Sequence, residues 1–231
     1  MAVGSAATKF FNPTNPFGNL TGWEIQTSNP TTGTTRAQAL GADGNEIAHH
    51  NHDKKTTATA TYTATSDNAE IPKAGSVVNG WHIDSVAIAW SNQGFCQMTL
   101  TGHKHGSNTT HKRTGGLTPR IATSSLTNIG TMFGCPDSPI GVQVPSGAGV
   151  RSVNYTLTVN HVDELGSDGE WLDGDNYDGT ETVDVELCDS GLMEAATGWD
   201  LNSVGNNEGN TAACASTATA EKHIACTRPA A

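Results

Sequence analysis

The sequence is poor in positive charge, aromatic rings, paired cysteines and long apolar runs. Twelve lysines and arginines face 23 aspartates and glutamates in 231 residues, a formal net charge of −11. A chain that reads DNA or RNA gains much of its affinity by neutralising phosphates, so this balance excludes a sequence-reading nucleic-acid binder. No apolar run approaches the roughly 20 residues of a membrane-spanning helix, so no membrane partner is expected. Residues 1–12 hold one lysine and no apolar segment, so no secretory signal is read there. The five cysteines, Cys96, Cys135, Cys188, Cys214 and Cys226, form no CxxC pair. Free, mostly buried thiols are expected, although a pairing of Cys214 with Cys226 stays open. Helix signals are also scarce: only residues 190–196 offer about two turns. No GxSxG elbow, GxxxxGK[ST] loop or GxGxxG fingerprint occurs. Asp163 and Glu164 are adjacent, so on a strand they point to opposite faces and cannot act as a carboxylate pair. The expectation is a protein that is not an enzyme.

What is present is threonine and glycine, 32 and 26 residues respectively. That composition suits strands and turns. Residues 57–65 alternate strictly, with Ala58, Ala60, Tyr62 and Ala64 on one face and threonines on the other. Asp43-Gly44 reads as a hairpin turn between short strands at 37–40 and 46–49. Residues 77–83 form a strand with a bend at Gly80. A hairpin follows from Ser85 to about His103, with Ser91–Gly94 as its turn. Val153, Tyr155, Leu157 and Val159 share a face of a strand over 150–159. Val183, Val185 and Leu187 mark another, and a last short strand lies near His223–Cys226. The predicted class is all-β: an antiparallel sandwich or barrel with an extended N-terminal arm and long loops. The arm is 1–20 and the all-β domain 21–231. Related halves at about 21–105 and 150–228 are joined by a loop segment at 106–149.

The halves are suggested by an internal echo. Thr21-Gly22-Trp23-Glu24-Ile25 recurs as Thr197-Gly198-Trp199-Asp200-Leu201. The same offset relates Gly33 to Gly209, Thr35 to Thr211, Ala37 to Ala213 and Ala39 to Ala215. A shift of one residue relates Ile47-Ala48 to Ile224-Ala225. Separately, Thr99-Leu100-Thr101 echoes Thr156-Leu157-Thr158.

Three groups of residues invite a chemical reading. His49, His50 and His52 precede Asp53, and His103 and His105 share a strand face, as zinc or nickel ligands do. Lys54, Lys55, Lys104, Lys112 and Arg113 crowd both clusters, so solvated histidines are the favoured reading and no metal is expected there. The acidic run 163–179 reads as a Gly-rich loop. Asp173, Asp175 and Asp178 are its candidates for calcium, but Tyr177 and Asp178 stand where an EF-hand needs a ligand and a glycine. Trp171 in that run is the tryptophan expected to be exposed, and with calcium it defines an alternative role as a glycan-binding module. Trp90 is expected in the core.

The stretch from Asp43 through His52-Asp53-Lys54-Lys55 to Thr65, and the run from Gly80-Trp81-His82 to Gly102-His103, resemble the tail tube proteins of tailed bacteriophages. The resemblance covers about residues 40–105 and, by the echo, parts of 150–226. It implies a virion structural protein made in the host cytoplasm that pairs strands across neighbours into stacked homo-oligomeric rings. Other virion structural proteins would be its partners, and DNA would pass without sequence-specific binding. It further implies interfaces at Phe10, Phe11 and Phe17 of the arm and at His111, Lys112 and Arg113 of the 106–125 loop. A capsid decoration or head–tail connector protein is the alternative within the same class.

Overall fold

Alternation of apolar and polar side chains decides which side of each strand meets the core. The computed structural model describes residues 14–106, 118–126, 129, 139–147, 149–167, 169, 171–188, 192–209 and 212–229, with backbone alone at 207–209 and 212–214. Every regular element among them is a strand. Eight strands form the long path of one antiparallel sheet: β1 (Trp23–Leu40), β2 (Glu46–Ala64), β4 (Trp81–Ser91), β5 (Gln97–His105), β8 (Val150–Leu165), β9 (Trp171–Leu187), β11 (Asp200–Gly209) and β12 (Ala212–Ile224). Their spatial order is β1-β2-β5-β4-β8-β9-β12-β11, and the short β3 (Val77–Val78) pairs with β4. Two small sheets pair β7 (Val142–Gln143) with β10 (Glu194–Ala195), and β6 (Ile121–Ala122) with β13 (Cys226–Thr227). The large sheet does not close into a barrel; β1 and β11 are its edges.

One face of the sheet is the core. Ala58, Ala60 and Tyr62 of β2, Met98 and Leu100 of β5, Val86 and Ile88 of β4, Val153, Tyr155 and Leu157 of β8 and Val183 and Val185 of β9 are all buried. Phe17, Leu126, Ile129, Val142, Met193 and Trp199 from the connecting segments join the same core cluster, and Trp90 packs on it half-buried. The opposite face carries threonines. One row runs Thr27, Thr61, Thr99, Ala87, Thr156, Thr182 and Glu221 across adjacent strands.

The strand order has a two-fold plan about the β4–β8 seam, with β1-β2-β5-β4 on one side and β8-β9-β12-β11 on the other. The echoed tryptophans open the two edge hairpins. Gly22 and Gly198 both take positive φ, 81° and 82°, and Trp23 and Trp199 are equally buried at 8% exposure. Both edge strands then slip register at the same offset, between Ile25 and Thr27 and between Leu201 and Ser203. The likeness ends there. Gly209 is the last residue of β11, whereas the chain at Gly33 runs on to Leu40; Ile47 is the second residue of β2 but Ile224 ends β12. The second echo has another cause. Leu100 and Leu157 both pair with Val86, so the two Thr-Leu-Thr segments flank one central strand at one height.

Several expectations need correction. The acidic run 163–179 is not a loop: most of it belongs to β8 and β9, paired from Asp163–Gly174 to Val159–Gly179. Residues 194 and 195 form β10 rather than a helical turn. Asn79-Gly80 is a two-residue hairpin turn joining β3 to β4, with φ of 51° and 77°, as an Asn-Gly pair favours. Phe17 is not an arm residue free to dock elsewhere. It is fully buried, edge-on to Trp81 at 5.8 Å, in a niche kept open by Gly102. Phe10, Phe11, His111, Lys112 and Arg113 lie outside the described residues, as do Cys135 and the side chain of Cys214.

Cys96, Cys188 and Cys226 are free. Burial pushes the Cys96 thiol up to about 12, while Cys188 is exposed. The thiolate is the reactive form. Alkylation of the native protein at pH 8 should therefore label Cys188 within minutes and leave Cys96 unmodified until denaturant is added, as read by peptide mass mapping.

Candidate functional site

The β1–β2 hairpin outgrows the sheet. β5 pairs with β2 only from Lys55 to Thr63, and the Gly106 amide donates to the Lys54 carbonyl at 2.6 Å as the last contact. Past that point residues 34–40 and 46–54 have no strand partner but each other among the described residues. This two-stranded ribbon is exposed on both faces, with Leu40 56% and Ile47 71% accessible. His49, His50 and His52 sit on it. His49 reaches Glu46 at 2.8 Å, and the rings of His50 and His52 stack at 5.8 Å. They do not join the other histidines into one ligand set.

Histidines do converge, at the base of the ribbon. Neighbouring strands bring His103 and His105 of β5, His82 of β4 and His161 of β8 to one end of the sheet. His82 pairs directly with His103, and the β4–β8 register of Ser85 with Thr158 carries His82 toward His161. The ring centroids of His82, His103 and His161 lie 4.3–4.9 Å apart. Carboxylates sit among them. Asp84 Oδ1 accepts from His82 Nδ1 at 2.9 Å and His103 Nδ1 at 2.7 Å. Asp163 Oδ1 meets His161 Nε2 at 2.9 Å, His105 Nε2 at 3.1 Å and the Trp171 indole N–H at 3.0 Å. Lys55 Nζ lies 3.2 Å from Asp163 Oδ2. Asp53 closes the group at 3.1 Å from His105 Nδ1. It does so from a register shift in β2 where its own φ is 47°, a left-handed backbone that a non-glycine residue adopts only when its surroundings hold it there.

These contacts set the charge states. Burial works to raise the Asp84 carboxyl, but hydrogen bonds from His103 and His82 outweigh it and hold it at about 2. The same contest at Asp163 ends far below the usual carboxylate range, through His105, His161 and Lys55. His103 is lowered because burial disfavours its cation more than Asp84 supports it. At His161 burial also opposes the cation, but Asp163 and Asn176 prevail and raise it.

Two sets can gather donor atoms around one ion: His82, Asp84 and His103, and His103, His161 and Asp163, each with ligand atoms within 4.8 Å of one another. The calcium candidates of the sequence do not form such a set. Asp175 is held by Arg228 at 2.9 Å and the Arg120 backbone N–H at 2.9 Å. Asp173 accepts from Gly174 N, and Asp178 faces His223 at 3.6 Å. Trp171 is no open platform: its ring stacks on His105 at 4.8 Å and 9°.

The sequence singled out His103 and His105 but missed His82 and His161. Each stands alone in the chain, and only strand order brings them together. A signal was present in the repeated spacing His82-x-Asp84 and His161-x-Asp163. Among the described residues, no helix is long and apolar enough to cross a membrane. No protein-family model matches the sequence, and a search of curated proteins finds no match.

Proposed function

We propose that this chain is a structural subunit that assembles through its ribbon and sheet edges, and specifically a tail tube subunit of a tailed-bacteriophage virion. The observation that carries the reading is the β1–β2 ribbon. An isolated two-stranded ribbon is marginally stable in water, and Leu40 and Ile47 near its tip are exposed. A neighbouring subunit covering it supplies the missing partner. The edges β1 and β11, which pair with no further strand among the described residues, offer backbone groups to further copies. The threonine face suits the wall of a conduit: Asp184, Glu186 and Glu221 share it, and acidic groups repel passing phosphates. The subunit then works in the virion, in stacked rings with other structural proteins, and performs no catalysis. A glycan-binding role gains nothing from Trp171, whose ring and indole N–H are both engaged.

Negative-stain microscopy and sedimentation over a concentration series test the proposal. Hollow tubes or stacked rings are expected. A double variant Leu40→Lys, Ile47→Lys should stay monomeric with an unchanged melting temperature, because both side chains are exposed within the subunit. Wild-type protein that stays monomeric at high concentration sinks the proposal. Small closed oligomers without tubes overturn the tail tube assignment in favour of a decoration or connector protein.

A further inference from the structure

The tautomers at the base of the ribbon can be read from their acceptors. Asp84 takes the Nδ1–H of both His82 and His103. The Asn176 side chain is fully buried, and its amide group donates to the Gly75 carbonyl at 3.3 Å and to that of Arg120. Its oxygen therefore faces His161 Nδ1 at 2.9 Å and accepts the proton there. All three imidazoles are thus anchored through Nδ1; His82 and His103 keep a lone pair on Nε2, while Nε2 of His161 faces Asp163 Oδ1 at 2.9 Å and gives up its proton there when a metal binds. Carboxylate or amide acceptors behind histidines are the usual outer shell of a metal site.

A further observation points the same way. Nε2 of His82 is buried and has no hydrogen-bond partner among the described residues, on a side chain only 9% exposed. Burying such an atom unpaired is costly unless something binds it. Lys55 was a reason to discount a metal from sequence; in the structure it binds Asp163 Oδ2 and leaves Oδ1 turned to the histidines.

We propose that the convergent set His103 and His161, each through Nε2, and Asp163 through Oδ1, completed by the unpartnered Nε2 of His82, binds a divalent transition-metal ion of the zinc class. Three imidazole nitrogens and one carboxylate oxygen are a common zinc donor set. Asp84 and Asn176 orient the ligands, while His105, Trp171 and Lys55 hold Asp163. With the four positions taken by protein, the ion is structural, tying β4, β5 and β8 together where the ribbon leaves the sheet.

The test uses the full chain, stripped with a chelator and dialysed. Zinc titrated by calorimetry should bind with one ion per chain. Zinc a hundredfold above its dissociation constant should raise the melting temperature by about 5–10 °C. Cobalt at the same site should give the visible spectrum of a tetrahedral, nitrogen-rich ion. His82→Phe, whose ring fills the same space, and His103→Gln should each reduce zinc affinity at least a hundredfold. His49→Ala with His50→Ala, on the exposed ribbon, should leave it unchanged. If the histidine variants fail to fold, the cobalt spectrum of the wild type decides. Absence of binding, an octahedral oxygen-rich cobalt spectrum, or affinity that survives His103→Gln overturns the proposal.

Discussion

Replacing Glu181 by alanine is expected to lower the melting temperature by about 6–20 °C, the equivalent of about 3–5 kcal/mol in a chain of this size. Glu181 lies on the core face of β9, fully buried. Its carboxyl accepts from the Tyr155 hydroxyl at 2.6 Å, the Ser125 backbone N–H at 2.5 Å and the Ser125 hydroxyl at 2.6 Å. Burial, and then Glu181 itself, push the Tyr155 phenol well above its ordinary range, so it stays a donor. Truncation strands the Ser125 N–H beside a void and leaves the Tyr155 hydroxyl with the Ser124 hydroxyl as its remaining partner. Each buried donor without an acceptor costs about 1–3 kcal/mol, and the cavity adds to that. Glu181→Gln keeps the shape but turns one acceptor into a donor, and should lose roughly half as much. Thermal unfolding followed by circular dichroism measures both. A drop below 2 °C for the alanine variant would show that Ser125 and Tyr155 find other partners.

Phe17→Ala should be as damaging, at about 3–5 kcal/mol for a fully buried ring. The ring sits over Gly102, where an added Cβ would lie 2.7 Å from Phe17 Cε1 and against the His82 carbonyl oxygen. Gly102→Ala in the wild type should therefore destabilise by about 1–3 kcal/mol through overpacking. In the Phe17→Ala background part of that clash is gone, so the second substitution should cost less than it does alone. The double-mutant cycle reads this coupling. Additive losses would mean that the His82 carbonyl, rather than the ring, dictates glycine at 102.

Phe17 also marks how far the sequence could be read. Two Asn-Pro steps and no periodicity made residues 1–20 look like an arm, because nothing local announces that a ring is needed 85 residues away. Strands with strict alternation, 57–65 and 150–159, were legible because one buried face imposes a period of two. The acidic run was not. Aspartate and glycine disfavour strands, but cross-strand pairing and ion pairs from Arg228 outweigh local preference. The candidate metal site was legible only in part. His103 and the supporting His105 share a strand, but the other two ligand histidines, His82 and His161, are 21 and 58 residues from His103 in the chain and meet it only across β4 and β8.

The ribbon's position gives these groups mechanical leverage. Eight residues of β-structure beyond the sheet reach about 25 Å. Among the described residues the base is held by Lys55 on Asp163, Asp53 on His105, the backbone of Lys54 on Gly106, and His52 against Gly169. A tilt of about 5° at that base sweeps the tip through about 2 Å over such a length. That is wide enough to break or make a hydrogen bond at the far end. The histidine cluster therefore stands at the fulcrum of a long arm, and displacements too small to matter within the sheet are magnified where the hairpin tip meets its surroundings.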